Sequence, residues 1–192
     1  MESGLLRVDL STGEIKREIL PHSMFERWVG GSGINDWLLW EHFLKHDVTC
    51  DARSPDNVLI FGVGPLAGVG SGIGVKGRLT FKSPCYGSFG DSTGGGKFPY
   101  VVRFSGYDYI VVTGKAPRPV YIHISNAEVT ICDATHLWGK DSTETHETLQ
   151  KELGDYPSEA YTLSIGQAGE NQVGIAGVIA DGWRIHARCG GG

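Results

Sequence analysis

The residues best placed to do chemistry in this 192-residue chain are not acids, bases or thiols but glycines. From Gly62 to Gly96 the sequence reads GVGPLAGVGSGIGVKGRLTFKSPCYGSFGDSTGGG, with glycine at twelve of thirty-five positions, several times the ~7% of average usage. Main chain without Cβ atoms lets N–H groups approach a ligand closely and admits positive φ, which is what an anion cradle needs. Pro65, Leu66, Ile73, Val75, Leu79, Phe81, Pro84, Tyr86 and Phe89 break the run with apolar and rigid residues, so it is not a flexible linker. It reads as ordered loops carried on strands and shaped to hold an anionic ligand. Plain tight turns are the alternative, and they account for one or two such glycines.

Familiar phosphate-binding patterns do not fit the run. Gly62, Gly64 and Ala67 match G-x-G-x-x-A, but Pro65 and the glycines that follow open no amphipathic helix. Lys82 stands where the acid for a ribose hydroxyl belongs. A P-loop fails because Phe98 follows Gly96-Lys97 where Ser or Thr would hold magnesium, and Asp91 replaces the first glycine. His42 and His46 have the spacing at which two imidazoles share a metal, but no acid lies between them, so they read as a polar helix face. Cys50, Cys85, Cys132 and Cys189 form no C-x-x-C pair, which supports neither a zinc nor a cluster site and leaves reduced thiols as the default. Cys189 follows Arg188, and a positive local field would lower its pKa; an incidental thiol is the other reading.

These residues need a scaffold, and the rest of the chain supplies one. With 40% hydrophobic residues the chain can bury one sizeable core and is read as one domain, 1–192. A net charge of −5 excludes general attraction to nucleic acid or anionic membranes, so an anion must be held by placed cations and backbone donors. The apolar runs are too short for a membrane span and MESGLLRVDL lacks a signal-peptide h-region, which points to a cytoplasmic protein.

Residues 5–10 and 14–20 alternate around Ser11-Thr12-Gly13, the pattern of a β-hairpin. Ser23 and Glu26 predict a capping box before a short helix ending at Gly30-Gly31, and Ser32 predicts the cap of a second helix over 34–46. A buried strand is expected over 58–63; residues 98–105 fit a short helix or a strand, and Pro99 favours the helix, its N-terminus toward the glycines. Further strands are expected at 109–113, 119–125, 128–132, 160–165 and 174–180. Ser142 or Thr143 is the expected cap of a helix running to Leu153 and stopped by Gly154 and Pro157.

Several blocks together resemble one family: PLAG with a following Gly-Arg, KSPCYG, STGGG-x-F, FSGYDYIVVTGKAPRPVYIHI, DATHLWGKD, SIGQAGENQV and DGWRIHARCGGG. Over essentially the whole chain they look like the amino-terminal domain of the aldehyde:ferredoxin oxidoreductase family of tungsten, sometimes molybdenum, enzymes. The resemblance implies an α+β, mainly β fold: two packed sheets forming a saddle, with three to four short helices. On that saddle lies a tungsto- or molybdo-bispyranopterin, its phosphates joined through magnesium.

Carried over residue by residue, the resemblance makes Arg78, Thr93, Gly95, Arg184, Ile185 and Ala187 cofactor-binding, with Lys76 able to share the role of Arg78. Thr93 and Ile185 would reach magnesium through backbone carbonyls. Thr93 stands where the family often has asparagine, and Ile185 and Ala187 are bulkier than the family's alanine and glycine. Asp108, His136, Trp138, Glu170 and Asn171 read as turn, packing and hydrogen-bonding positions.

The resemblance places the iron–sulfur cluster, the catalytic groups and a final strand in segments beyond this sequence. No catalytic residue is therefore assigned, the isolated chain is expected to be inactive, and it reads as a truncation or a split subunit. The partners implied are the pterin cofactor, the remaining domains or a complementary subunit, and ferredoxin as electron acceptor. An unpaired sheet edge would favour homo-oligomers. A non-catalytic fragment or scaffold, and an aromatic acyl-thioester reductase on the same scaffold, are the alternatives.

Overall fold

The computed structural model describes residues 3–70, 76–153, 160–188 and 190–192. Ile73 and Val75 of the glycine run, the helix stop at Gly154 and Pro157, and Cys189 lie outside the described residues.

A six-stranded mixed sheet forms the middle layer. Strands β1 (Ser3–Asp9) and β2 (Glu14–Leu20) form the expected hairpin at one edge. The sheet continues through β6 (Tyr109–Thr113), β3 (Val58–Val63), β4 (Lys76–Lys82) and β5 (Phe89–Gly95), in the order β2-β1-β6-β3-β4-β5. Among the described residues β1 and β6 are the one parallel pair of this sheet. Because side chains alternate across a strand, β1 sends Leu5 to one face and Leu6 and Val8 to the other, while β3 divides Val58 and Ile60 from Phe61 and Val63.

The Leu5 face is covered by α1 (His22–Trp28) and α2 (Ser32–Lys45), which press Ile34, Leu38 and Leu39 onto Val58, Ile60, Tyr109 and Val111. The Leu6 face is covered by three elements. One is α3 (Phe98–Phe104). Another is the hairpin of β7 (Val120–Ser125) and β8 (Glu128–Asp133), and the third is a small sheet ordered β11-β10-β9. That small sheet comprises β9 (Leu163–Ser164), β10 (Val178–Ala180) and β11 (Arg184–Ala187). Helices α4 (Ser142–Glu152) and α5 (Gln167–Glu170) complete the chain.

The expected two packed sheets are therefore three, one of six strands and two small ones, and the described residues hold five α-helices rather than three or four. The fold is a mixed α/β sandwich of layers. Local corrections have simple causes. Helix α1 starts at His22, which puts Ser23 inside the first turn, so its hydroxyl does not cap. Gly31 rather than Ser32 precedes α2. Asp141 caps α4 in a capping box with Glu144, one residue before the expected Ser142 or Thr143. The strands expected at 160–165 and 174–180 shrink to two and three residues.

Candidate functional site

The glycine-rich run contains two full strands, β4 and β5, and the site is built at their edge. In register, Arg78 lies opposite Thr93 and Lys76 opposite Gly95. Leu79 and Phe81 of β4 enter the core on the Leu6 side, so Arg78 and Thr80 face α2. There Asn35 Nδ2 donates to the Arg78 carbonyl at 3.2 Å and to Thr80 Oγ1 at 3.1 Å. The Arg78 guanidinium is held by Asp91 of β5, whose two carboxylate oxygens accept from Nε and Nη2. Burial pushes the Asp36 carboxyl up, and the Arg78 charge partly offsets that rise.

The other face of β5 explains its composition. Gly90, Ser92, Gly94 and Gly96 alternate along it; a Cβ on Gly90 would meet Phe81 and Ser83, while strand β11 and the residue after it lie across the other three. Arg184 sits over Gly96, His186 over Gly94, and the Arg188 N–H donates to Ser92 Oγ at 3.1 Å. A Cβ on Gly94 would fall 1.8 Å from His186 Nδ1. Gly96 takes φ +123°, and a Cβ there would meet Arg184 Cδ at 3.1 Å. Small side chains at every second position are what let a second strand pack this closely.

The structure thus divides the expected site residues into two sets. Arg78, Thr93 and Gly95 belong to the α2 face of β4 and β5, whereas Arg184, Ile185 and Ala187 belong to the strand laid over the opposite face. The sets meet at the end of β5, at Gly95-Gly96. Ile185 is exposed and Ala187 fully buried against the core of Phe61 and Phe81.

A second bare stretch of backbone lies beside α2. A Cβ on Gly31 would fall 3.5 Å from the Gly64 Cα, and one on Gly64 would meet nothing within 4 Å. Arg103 Nη1 donates to the carbonyls of Gly64 and Pro65 at 3.3 and 3.1 Å, while its Nε lies 3.5 Å from Asp108.

Of the residues read as turn, packing and hydrogen-bonding positions, Asp108, His136, Glu170 and Asn171 have polar partners, whereas the Trp138 side chain is exposed. The Asp108 carboxylate accepts from Ser3 Oγ, and Glu170 accepts the Gly139 N–H with both oxygens. Asn171 donates to the Gln167 carbonyl, and His136 meets Glu152. His42 and His46 stack at 4.3 Å in an open, charged cleft with Arg7, Asp9 and Glu41, and His42 Nε2 contacts the Asp56 carbonyl at 2.8 Å. Burial holds the His42 pKa below its usual value. Among the described residues no three His, Cys, Asp or Glu side chains gather as a metal site, and Cys50, Cys85 and Cys132 are free thiols.

Sequence reasoning met Asp91 and Lys97 only in rejecting a P-loop, and passed over His186. The alternation of small residues in FGDSTGGG was the available signal for an overlaid strand, and hence for His186.

The described residues thus define a layered α/β domain in which bare glycine backbone lies beside Arg103 at one place and beneath Arg184 at another. Residues 5–192 match the family described as aldehyde ferredoxin oxidoreductase, N-terminal domain, and the chain belongs to that family.

The chain is 41% identical over 187 residues to the tungsten-containing aldehyde ferredoxin oxidoreductase of Pyrococcus furiosus, a match covering 97% of this chain and 30% of the relative. It is 31% identical over 185 residues to the WOR-like subunit of an aliphatic sulfonate oxidoreductase of the same organism, covering 91% of this chain and 29% of the relative. Among solved structures it resembles the active-site complex BamBC of benzoyl coenzyme A reductase bound to 1,5-dienoyl-CoA. That match has TM-score 0.92 and 34% identity over all of this chain and 29% of the other. The chain therefore spans about a third of the length of the relatives it matches.

Proposed function

We propose that this chain is the cofactor platform of a tungsten- or molybdenum-dependent aldehyde:ferredoxin oxidoreductase, completed by segments that carry the iron–sulfur cluster and the catalytic groups. The observation that carries the reading is the corner at Gly95-Gly96, where side-chain-free backbone on a rigid edge strand meets Arg184 on one side and the Thr93–Arg78 pair on the other. A flat, phosphate-bearing bis-pyranopterin fits such a corner, because it needs close main-chain approach along its faces and cations at its ends. Bound there, the metal pterin would supply the two-electron chemistry that takes an aldehyde and water to a carboxylate, with the electrons passed by way of the cluster to ferredoxin.

The chain's own part is to bind and orient. Arg78, fixed by Asp91, presents its remaining donors in a set direction, as a planar guanidinium does when one edge is clamped. Thr93 and Ile185 would offer carbonyls to a magnesium ion between the phosphates. Ala187 packs β11 down so that Arg184 stays over Gly96.

The test is metal analysis of the complete protein, with the segments equivalent to the rest of the relatives' length present. About one tungsten or molybdenum per chain is expected, and the absence of both overturns the reading. The benzoyl coenzyme A reductase likeness favours a second reading, an aromatic acyl-thioester reductase on the same platform. Assays of aldehyde oxidation and of aryl-thioester reduction on the metal-loaded protein separate the two.

A further inference from the structure

Strand β2 ends the six-stranded sheet, and among the described residues it pairs with β1 alone. Its residues read EIKREIL, and all but Ile15 and Leu20 are exposed. A full-length edge strand is a template for another strand, which natural sheets usually blunt with charge. The charges on β2 are Glu14, Lys16, Arg17 and Glu18, and from Ile15 to Ile19 their order is complementary to itself when reversed.

Laid antiparallel on a second β2 about a two-fold axis through Arg17, the strand sets Ile15 opposite Ile19 of the other copy and Lys16 opposite Glu18. Each match occurs twice. Register with Leu6 and Val8 puts the isoleucines on one face of the sheet, and register with Leu5 and Arg7 puts the Lys and Glu on the face of α2. Ile19, 62% exposed within the chain, gains an apolar neighbour by the pairing. Arg7 Nε holds Glu18 through Oε2 at 3.1 Å, which leaves Oε1 for a second cation.

Other two-fold registers lack this match. Because each face must stay continuous, the axis moves by whole residues along the strand. Centred on Lys16, the pair sets Lys16 on its own copy and Glu14 on Glu18; centred on Glu18, it sets Glu18 on its own copy and Lys16 on Leu20. Opposite charges directly across an antiparallel pair stabilise it and like charges oppose it. The Arg17 register alone joins opposite charges, and its one cost is Arg17 facing Arg17.

We propose that β2 is a dimer interface, through which two copies of this chain join edge to edge, antiparallel about Arg17, into one continuous sheet. The proposed ligand corner on β5 lies at the other edge, five strand spacings away, roughly 24 Å at ~4.8 Å each. Pairing through β2 therefore leaves both corners open, and it holds whether or not they take a cofactor.

So small a contact is weak, with Kd on the order of 100 μM. The test is sedimentation equilibrium of the full chain at high micromolar concentration, with hydrogen exchange read on residues 14–20. An equilibrium between one chain and two is expected, and exchange on β2 should slow as concentration rises. Lys16→Glu and Glu18→Lys should each weaken the dimer by about tenfold or more, and the two together should restore it, since the exchanged charges meet again across the axis. In that double variant Arg7 also regains a carboxylate, because residue 16 is its register partner. Arg17→Thr, which removes the like charges on the axis, should tighten the dimer several-fold. Association through the exposed Ile175 and Ile185 would respond to none of these changes. A dimer indifferent to Lys16→Glu, a double variant no tighter than Lys16→Glu alone, or exchange on β2 that ignores concentration overturns the interface.

Discussion

His186 is fully buried between Phe61 and Phe98, at ring-centre distances of 5.6 and 6.3 Å, and neither of its nitrogens has a hydrogen-bond partner. An imidazole in that position folds as the neutral ring, because charging it would strand a cation among aromatic and aliphatic carbons. Burial accordingly pushes its pKa down to about 4, against an ordinary value of 6.5. The consequence for stability has a definite sign. Between these two values the unfolded chain binds a proton that the folded chain refuses, so stability is complete above about pH 6.5 and is lost as the pH falls toward 4. A shift of this size corresponds to about 3 kcal/mol, at ~1.4 kcal/mol for each pKa unit. Urea unfolding of the wild type at pH 7 and pH 4.5, set against His186→Leu, checks it. The variant should lose much of the pH dependence, and an unchanged slope would show that the ring is charged or solvated in the fold.

At the scale of elements, the seam between β5 and β11 holds the two halves of the site together, and Gly94 is its tightest point. Gly94→Ala must displace either the His186 ring or the β11 backbone, since a Cβ would also fall 2.6 Å from the His186 Cα. Overpacking of that kind costs about 1–3 kcal/mol. Chemical denaturation should show a loss in that range for Gly94→Ala, whereas Gly64→Ala, whose Cβ meets nothing, should cost well under 1 kcal/mol.

The same seam explains what could be read from the sequence. Strands β3 and β6 were legible at 58–63 and 109–113 because a run of apolar, β-branched residues buried on both faces is its own signal. The β7–β8 hairpin was legible from its turn, where Asn126 and Ala127 both take positive φ. Strands β4 and β5 were hidden, because glycine argues against a strand unless another chain segment lies over it. That segment, β11, comes from ninety residues further on in the sequence, and local patterning carries no record of so distant a contact. For the site the division is similar: positions 78, 93, 95 and 184 were singled out by the family resemblance, Thr93 as a departure from it, but the Arg78–Asp91 pair and the two faces of β5 are tertiary facts.

The whole molecule leaves more apolar surface in water than its layers require. Trp40 and Leu44 on α2, with Val48 just beyond it, are all more than half exposed. So are Leu66, Val69 and Phe104 beside the bare glycines, and Ile175, Trp183 and Ile185 around β11. Single exposed hydrophobics are ordinary, but sets of them gathered by element are characteristic of surfaces that another chain segment covers. The second and third sets flank the two stretches of bare backbone, so whatever covers them also closes the proposed ligand corner from water, which would strengthen each charge contact made there. Because the chain spans about a third of its relatives' length, the expected cover is the polypeptide equivalent to the remainder. The chain alone should then bind a hydrophobic dye and self-associate at micromolar concentration, and both properties should fall sharply when that remainder is co-expressed. Sedimentation velocity and dye fluorescence on the two preparations measure this directly. Replacing Ile175 and Ile185 with Ser should reduce self-association of the chain alone and weaken its assembly with the remainder, while leaving the urea midpoint nearly unchanged, because neither side chain contributes to the buried core. Assembly of normal strength by that double variant would place the covering segment elsewhere.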